Sequence, residues 1–229
     1  MGYMLLEGGA EFNGRMADAD RRAMALAGGE DARISIIPAA AAPDNNQLRA
    51  GNNGVRWFRK LGALQVEALP LVDGITANDP AISGVLRQSH LIFIPGGFPG
   101  YLADTLKGSL CWRAVTEAEH AGGVIAGSSA GAMVLCEYFY DPSLNQVARG
   151  LNRIHGACVI PHHDTYCSKW VRFLQDMLPD TTLVGIAEQT GMINEGRKGA
   201  WHVYGKGDVT LYRKGHTERF TRSQTFQIR

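Results

Sequence analysis

The sequence predicts an α/β fold of three layers: a mostly parallel sheet with helices on both faces, and antiparallel hairpins at the C-terminal end. Three observations point there. Short apolar runs alternate along the first half of the chain with longer amphipathic segments, the pattern of strands joined by crossover helices. Leu91-Ile92-Phe93-Ile94 is apolar at every position, which suits a strand covered on both faces. After Gly191, short strand-like runs are separated by glycine turns instead of helical segments. No linker, internal repeat or low-complexity segment breaks the 229 residues, so one domain, 1–229, is expected.

Taken in order, Tyr3 to Leu6 predicts a first strand ended by Gly8-Gly9. Met16, Ala19, Ala23 and Leu26 recur at helical spacing, predicting a helix from Gly14 to Ala27 that Gly28-Gly29 closes. Ile34 to Ile37, stopped by Pro38, predicts a second strand. Asn45 to Leu61 predicts a helix with Leu48, Val55 and Phe58 inward, weakened in its middle by Gly51 and Gly54. Val66 to Leu71 predicts a third strand. Asp79-Pro80 places a cap before proline at the first helical position, with Ile82, Val85 and Leu86 on the buried face. Leu91 to Ile94 and Val124 to Ala126 predict the next strands. Glu137 to Gly150 is polar and reads as loop. Ala157 to Pro161 and Leu183 to Ala187 predict two more strands, separated by a helix whose apolar stripe is Trp170, Phe173, Leu174, Met177 and Leu178.

Composition bounds the function. The 45% hydrophobic content is that of a soluble globular domain, and the formal net charge of +1 gives no basic stripe for nucleic acid or an acidic membrane. No apolar run approaches the roughly 18 residues of a membrane span. The first residues lack the basic and apolar regions of a signal peptide. Cys111, Cys136, Cys158 and Cys167 show no C-x-x-C pairing. They read as reduced, buried thiols of a cytoplasmic protein, with no metal site.

The chemistry concentrates at Gly127-x-Ser129-x-Gly131, between the apolar run Val124–Ala126 and the helix-like run Ala130–Leu135. This is a nucleophile-elbow pattern in a strand–turn–helix context. Glycines two residues either side relieve the crowding around a serine on so sharp a turn. Ser128 is flanked at those distances by alanines and fits less well. A serine nucleophile needs a base, and the base an orienting carboxylate. His162 and His163 follow a predicted strand, which puts them at the sheet edge where Ser129 is expected; side chains alternate, so only one can meet Ser129. Glu137, Asp141, Asp164 and Glu188 are possible carboxylates, and periodicity does not rank them. Pro95-Gly96-Gly97-Phe98-Pro99-Gly100 follows the fourth strand and offers the Gly97 N–H, beside that of Ala130, as an oxyanion hole.

With these pieces on one chain the sequence resembles the serine peptidase family that contains dipeptidase E (the aspartyl dipeptidase) and cyanophycinase. The carriers are Ile94-Pro95-Gly96-Gly97, Ala126 to Ala132, Val159 to Asp164 and Val184 to Glu188. The resemblance implies a class I glutamine amidotransferase-like, flavodoxin-like fold and hydrolysis of an amide bond in a small peptide. It implies Ser129 as nucleophile, His162 as base, and Gly97 and Ala130 as oxyanion-hole amides. It also implies an acidic residue between serine and histidine, where Glu137 and Asp141 stand, with Asp141 preferred. Lys169 and Arg172 stand where the family places arginines that bind acidic substrate side chains. Phe98 and Ala187 depart from relatives that carry Asn and Asp there. No metal or cofactor is implied, and a monomer or homodimer is expected. The rival readings are an esterase of the α/β-hydrolase class and a non-catalytic, amidotransferase-like small-molecule-binding domain.

Overall fold

A computed structural model describes residues 2–228. In chain order the elements are β1 (Tyr3–Glu7), α1 (Ala17–Leu26), β2 (Arg33–Ile36), α2 (Gln47–Lys60), β3 (Gln65–Ala68), α3 (Pro80–Gln88) and β4 (Leu91–Ile94). There follow α4 (Pro99–Leu106), α5 (Leu110–His120), β5 (Val124–Ser128), α6 (Ala130–Leu135), β6 (Cys136–Asp141), β7 (Gln146–Arg149) and β8 (Ile154–Ile160). The chain finishes with α7 (Val171–Met177), β9 (Thr182–Ile186), β10 (Thr190–Ile193), β11 (Trp201–Gly205), β12 (Asp208–Arg213), β13 (His216–Thr221) and β14 (Thr225–Phe226).

Among the described residues these strands form two sheets instead of one. The larger has eight strands in the order β14-β11-β10-β1-β5-β4-β2-β3. Its segment β1-β5-β4-β2-β3 is parallel throughout, and β10, β11 and β14 add an antiparallel flank. The second has six strands, β13-β12-β9-β8-β6-β7, with β6, β8 and β9 parallel. Side-chain alternation along the larger sheet makes two layers. Leu5, Phe93 and Ala126 face Ala23, Trp57 and Phe58 of α1 and α2. Leu6, Ile94 and Ile125 face the other way and share a core with Leu102, Val115 and the second sheet's Val159 and Val184. The fold is therefore α/β with helices on both faces of a largely parallel sheet.

Three expectations are corrected. Leu48 is 76% exposed, and α2 docks instead through Gly51, Gly54, Trp57 and Phe58. A Cβ on Gly51 would come within 2.8 Å of Ala68, and one on Gly54 within 3.0 Å of the Phe12 ring. The glycines that weaken the helix in isolation are what let it approach the sheet. Residues 137–150 are not loop but mostly the β6–β7 hairpin; they read as polar because only part of this edge is covered, Phe139 facing inward. On α7, Leu174 is buried while Phe173 and Met177 remain exposed. No helix among the described residues is long and apolar enough to cross a membrane.

Candidate active site

The site starts at the turn between β5 and α6. Ser129 holds φ 49° and ψ −113°, a conformation costing roughly 1–3 kcal/mol that persists only when its surroundings fix it. They do: the Ser129 N–H donates to the Glu7 carbonyl at 3.1 Å, and the Ser129 carbonyl accepts the Met133 N–H at 3.0 Å. The flanking glycines are required by close approach. A Cβ on Gly131 would lie 2.0 Å from the Ile94 carbonyl oxygen, and one on Gly127 would lie 2.6 Å from the Gly131 carbonyl carbon. The adjacent Ser128 is fully buried, its hydroxyl donating to Glu11 Oε2 at 2.9 Å.

His162 follows β8 and Pro161, also at positive φ, 48°. Its N–H donates to the Gly8 carbonyl at 2.7 Å, and its carbonyl accepts the Thr165 N–H at 3.1 Å. So held, its Nε2 lies 3.0 Å from Ser129 Oγ. Tyr166 stacks on the outer ring face, with centroids 5.1 Å apart and planes 19° from parallel. The second ring nitrogen, Nδ1, lies 2.9 Å from Glu188 Oε1. Glu188 follows β9, and its backbone is pinned by its N–H donating to Asp164 Oδ1 at 2.7 Å. Ser129 thus comes from the larger sheet, and His162 and Glu188 from the second. The expectation of a common sheet edge is corrected accordingly. The neighbouring His163 turns the other way: its ring packs on Gly185 and its Nε2 meets the Tyr212 hydroxyl at 2.9 Å. Burial there lowers its pKa.

The expectation for the acid is also corrected, because Asp141 does not reach His162. It closes β6 and is buried, its Oδ1 accepting the Ser143 N–H at 2.9 Å. Its other oxygen abuts Gly100, in the first turn of α4, where helical N–H groups favour an anion. Glu137 accepts the Gly156 N–H at 2.8 Å, which lowers its pKa. The hydrogen-bonded residues follow one another in the chain as Ser129, His162 and Glu188, so the carboxylate that meets His162 lies after it and not between serine and histidine. Glu188 was legible only as one carboxylate among four; its position directly after a strand, shared with His162, is the signal that singles it out.

Ala130 follows the serine directly, and Gly97 follows Gly96, which packs on it. Gly97 takes φ 147° against Ala40, whose carbonyl oxygen a Cβ would meet at 2.1 Å. Ala130 opens α6, so its N–H has no acceptor within the helix. Gly96, beside Gly97 in the chain, packs on the serine: a Cβ there would be 3.1 Å from Ser129 Cβ, and its N–H donates to Glu11 Oε1 at 3.1 Å. Sequence reasoning missed Glu11, although it stands just beyond the carboxyl end of β1, where parallel sheets place ligands. A cavity of about 220 Å³ opens there, lined by Glu11, Asp44, Asn46, Asn53, Gly97 and Phe98 among others. Lys169 and Arg172 are exposed near α7 and do not line it.

The sequence profile of peptidase family S51 matches residues 4–198. This chain belongs to peptidase family S51. Cyanophycinases from Nostoc sp. and Trichormus variabilis are each 27% identical over 220 residues, covering 91% of this chain and 72% of the relative. The crystal structure of a peptidase from an acI-B1 actinobacterium superposes with a TM-score of 0.88 at 27% identity, covering 99% of this chain and 96% of that one. A putative peptidase E from Listeria monocytogenes shares the fold, with a TM-score of 0.61 at 16% identity, over 97% of this chain and 100% of that one. Membership in this family makes the chain a serine-type peptidase, a hydrolase of amide bonds.

Proposed function

We propose that this S51 peptidase works as one hydrolase domain, 1–229, in which Ser129 is the nucleophile, His162 the base and Glu188 the orienting carboxylate. The observation that carries the reading is the hydrogen-bonded chain Ser129 Oγ–His162 Nε2, His162 Nδ1–Glu188 Oε1, at 3.0 and 2.9 Å, beginning on a strained turn. Ser129 Oγ attacks the scissile carbonyl as His162 Nε2 takes its proton, and the Gly97 and Ala130 N–H groups receive the oxyanion. The carboxylate of Glu188 stabilises the imidazolium. His162 then gives the proton to the leaving amine, and water, activated by the same imidazole, releases the acyl group.

The substrate is a small peptide, and the protein acts as a cytoplasmic monomer or homodimer without nucleic acid, membrane, metal or cofactor. Four buried, unpaired cysteines fit a reducing compartment. The cavity lined by Gly96, which packs on Ser129, carries the carboxylates of Glu11 and Asp44, which favour a cationic or neutral polar side chain over the acidic one that Lys169 and Arg172 suggested. Treatment with a serine-directed fluorophosphonate followed by peptide mapping tests the nucleophile. The expected adduct is on Ser129 and is lost in His162→Gln; an adduct on another serine overturns the assignment.

A further inference from the structure

The end of β1 is where the three site residues converge. The Glu7 carbonyl accepts the Ser129 N–H at 3.1 Å, and the Gly8 carbonyl accepts the His162 N–H at 2.7 Å. A Cβ on Gly8 would meet the Ala187 carbonyl oxygen at 2.2 Å, so the same point of the strand presses on the residue before Glu188. Whatever fixes the end of β1 therefore fixes the spacing of Ser129, His162 and Glu188.

The Glu7 side chain leaves this point for the interior and is fully buried. Both of its carboxyl oxygens lack a hydrogen-bond donor, and so does Asp20 Oδ1, equally buried beside it. The nearby donors are committed elsewhere: the Ser128 hydroxyl to Glu11 Oε2 at 2.9 Å, and the Trp57 Nε1–H to Asp20 Oδ2 at 2.7 Å. The groups facing the pair are Asp20 itself from α1, Glu11 from the segment after β1, Ser128 from β5 and Trp57 from α2. None is basic. Two bare carboxylates in such a layer would each cost several kcal/mol. One proton resolves the conflict. Glu7 as an acid donates to Asp20, and Asp20 accepts from both Glu7 and Trp57. Burial, reinforced by Asp20 and Glu11, raises the Glu7 carboxyl well above the usual carboxylate range. Burial likewise lifts Asp20 to about 7, against the opposing bonds from Trp57 and Glu7.

We propose that Glu7 is a positioning residue that acts as a neutral carboxylic acid, its proton shared with Asp20, and that this buried acid pair holds the end of β1 so that Ser129 and His162 stay in contact. The proposal rests on Ser129 as nucleophile. Glu7 touches no substrate. Loss of the shared proton places two like charges in contact within the core, loosens the strand end, and lowers kcat at alkaline pH with little change in KM.

The test follows kcat and KM against pH for wild type, Glu7→Gln, Glu7→Leu and Ser129→Ala, together with the infrared band of a protonated carboxylic acid. Gln has the shape of the neutral acid and an N–H to give Asp20. Glu7→Gln should keep kcat within about threefold at neutral pH and lose the alkaline fall, while Glu7→Leu should drop kcat at least about tenfold with KM within about twofold. The acid band should be present in wild type at neutral pH and missing from Glu7→Gln. A purely structural role would lower Tm and leave the shape of the pH profile alone. Three results each overturn the proposal: no acid band lost on Glu7→Gln, a Glu7→Gln pH profile identical to wild type, or a folded Glu7→Gln protein without activity. If Glu7→Leu does not fold, the Gln variant and the band decide. Hydrolysis surviving in Ser129→Ala would instead refute the nucleophile reading, and the infrared band would still answer for the acid pair.

Discussion

Replacing Glu188 by Gln removes one charge from the site and keeps its shape. The contact to His162 Nδ1 is 2.9 Å, and the Glu188 side chain is 34% exposed. Opposite charges centred about 4 Å apart attract by about 1 kcal/mol with the screening of bulk water and by about 4 kcal/mol at a protein surface. A carboxylate one-third exposed falls between those limits. The imidazolium formed as Ser129 attacks therefore loses roughly 1–4 kcal/mol of stabilisation, a fall in kcat of roughly 5- to 1000-fold. The Gln carbonyl can still accept the Nδ1–H, so the ring stays seated and KM should change by less than about twofold. Initial rates on the best-cleaved peptide, with a thermal melt to verify folding, make the measurement. Asp141→Asn is the comparator, because its carboxylate serves the Ser143 N–H and the start of α4; its kcat should stay within about twofold of wild type. A Glu188→Gln enzyme as fast as wild type, or a larger loss in Asp141→Asn, would refute the assignment of the acid.

Further outcomes follow from the same geometry. Gly131→Ala places a Cβ 2.0 Å from the Ile94 carbonyl oxygen, so β4 or α6 must shift at a cost of roughly 3 kcal/mol; calorimetry should find Tm lower by roughly 6–12 °C. The Asp20 carboxyl rises from 3.8 to about 7 on folding. The native state therefore binds the extra proton, and the associated stability, complete below about pH 4, is lost as pH climbs to about 7. Denaturant melts should show wild type weakening relative to Asp20→Asn across that window, and parallel curves would contradict the buried acid pair. With Glu11 and Asp44 in the cavity, peptides bearing Lys or Arg should exceed their Asp or Glu counterparts in kcat/KM by roughly fivefold, about 1 kcal/mol for the pair of screened charges. Lys169→Ala and Arg172→Ala should move that ratio less than about twofold.

Local features of the molecule were legible in the sequence. The apolar run Leu91–Ile94 needs no partner to be identified as a buried strand, and the turn at Ser129 carries its own signature because Gly127 relieves crowding against the Gly131 backbone only four residues on, although Gly131 itself makes room for the distant Ile94. What depended on distant contacts was not legible. Glu188 gains its meaning only from the approach of β9 to β8, and Glu11 from the end of β1 meeting the Gly96 loop. The glycines of α2 read as weak points because their value lies in Ala68 and Ile36, which they allow to approach. Periodicity likewise placed His162 and Ser129 on one sheet, since nothing local distinguishes a strand of the larger sheet from one of the second.

The most direct measurement incubates a library of dipeptides and isoaspartyl peptides with wild type and with Ser129→Ala, and follows cleavage by mass spectrometry. Wild type should cleave, and Ser129→Ala should lose at least about 10³-fold, since only oxyanion and binding contributions remain. Equal cleavage by both proteins would contradict Ser129 as the nucleophile.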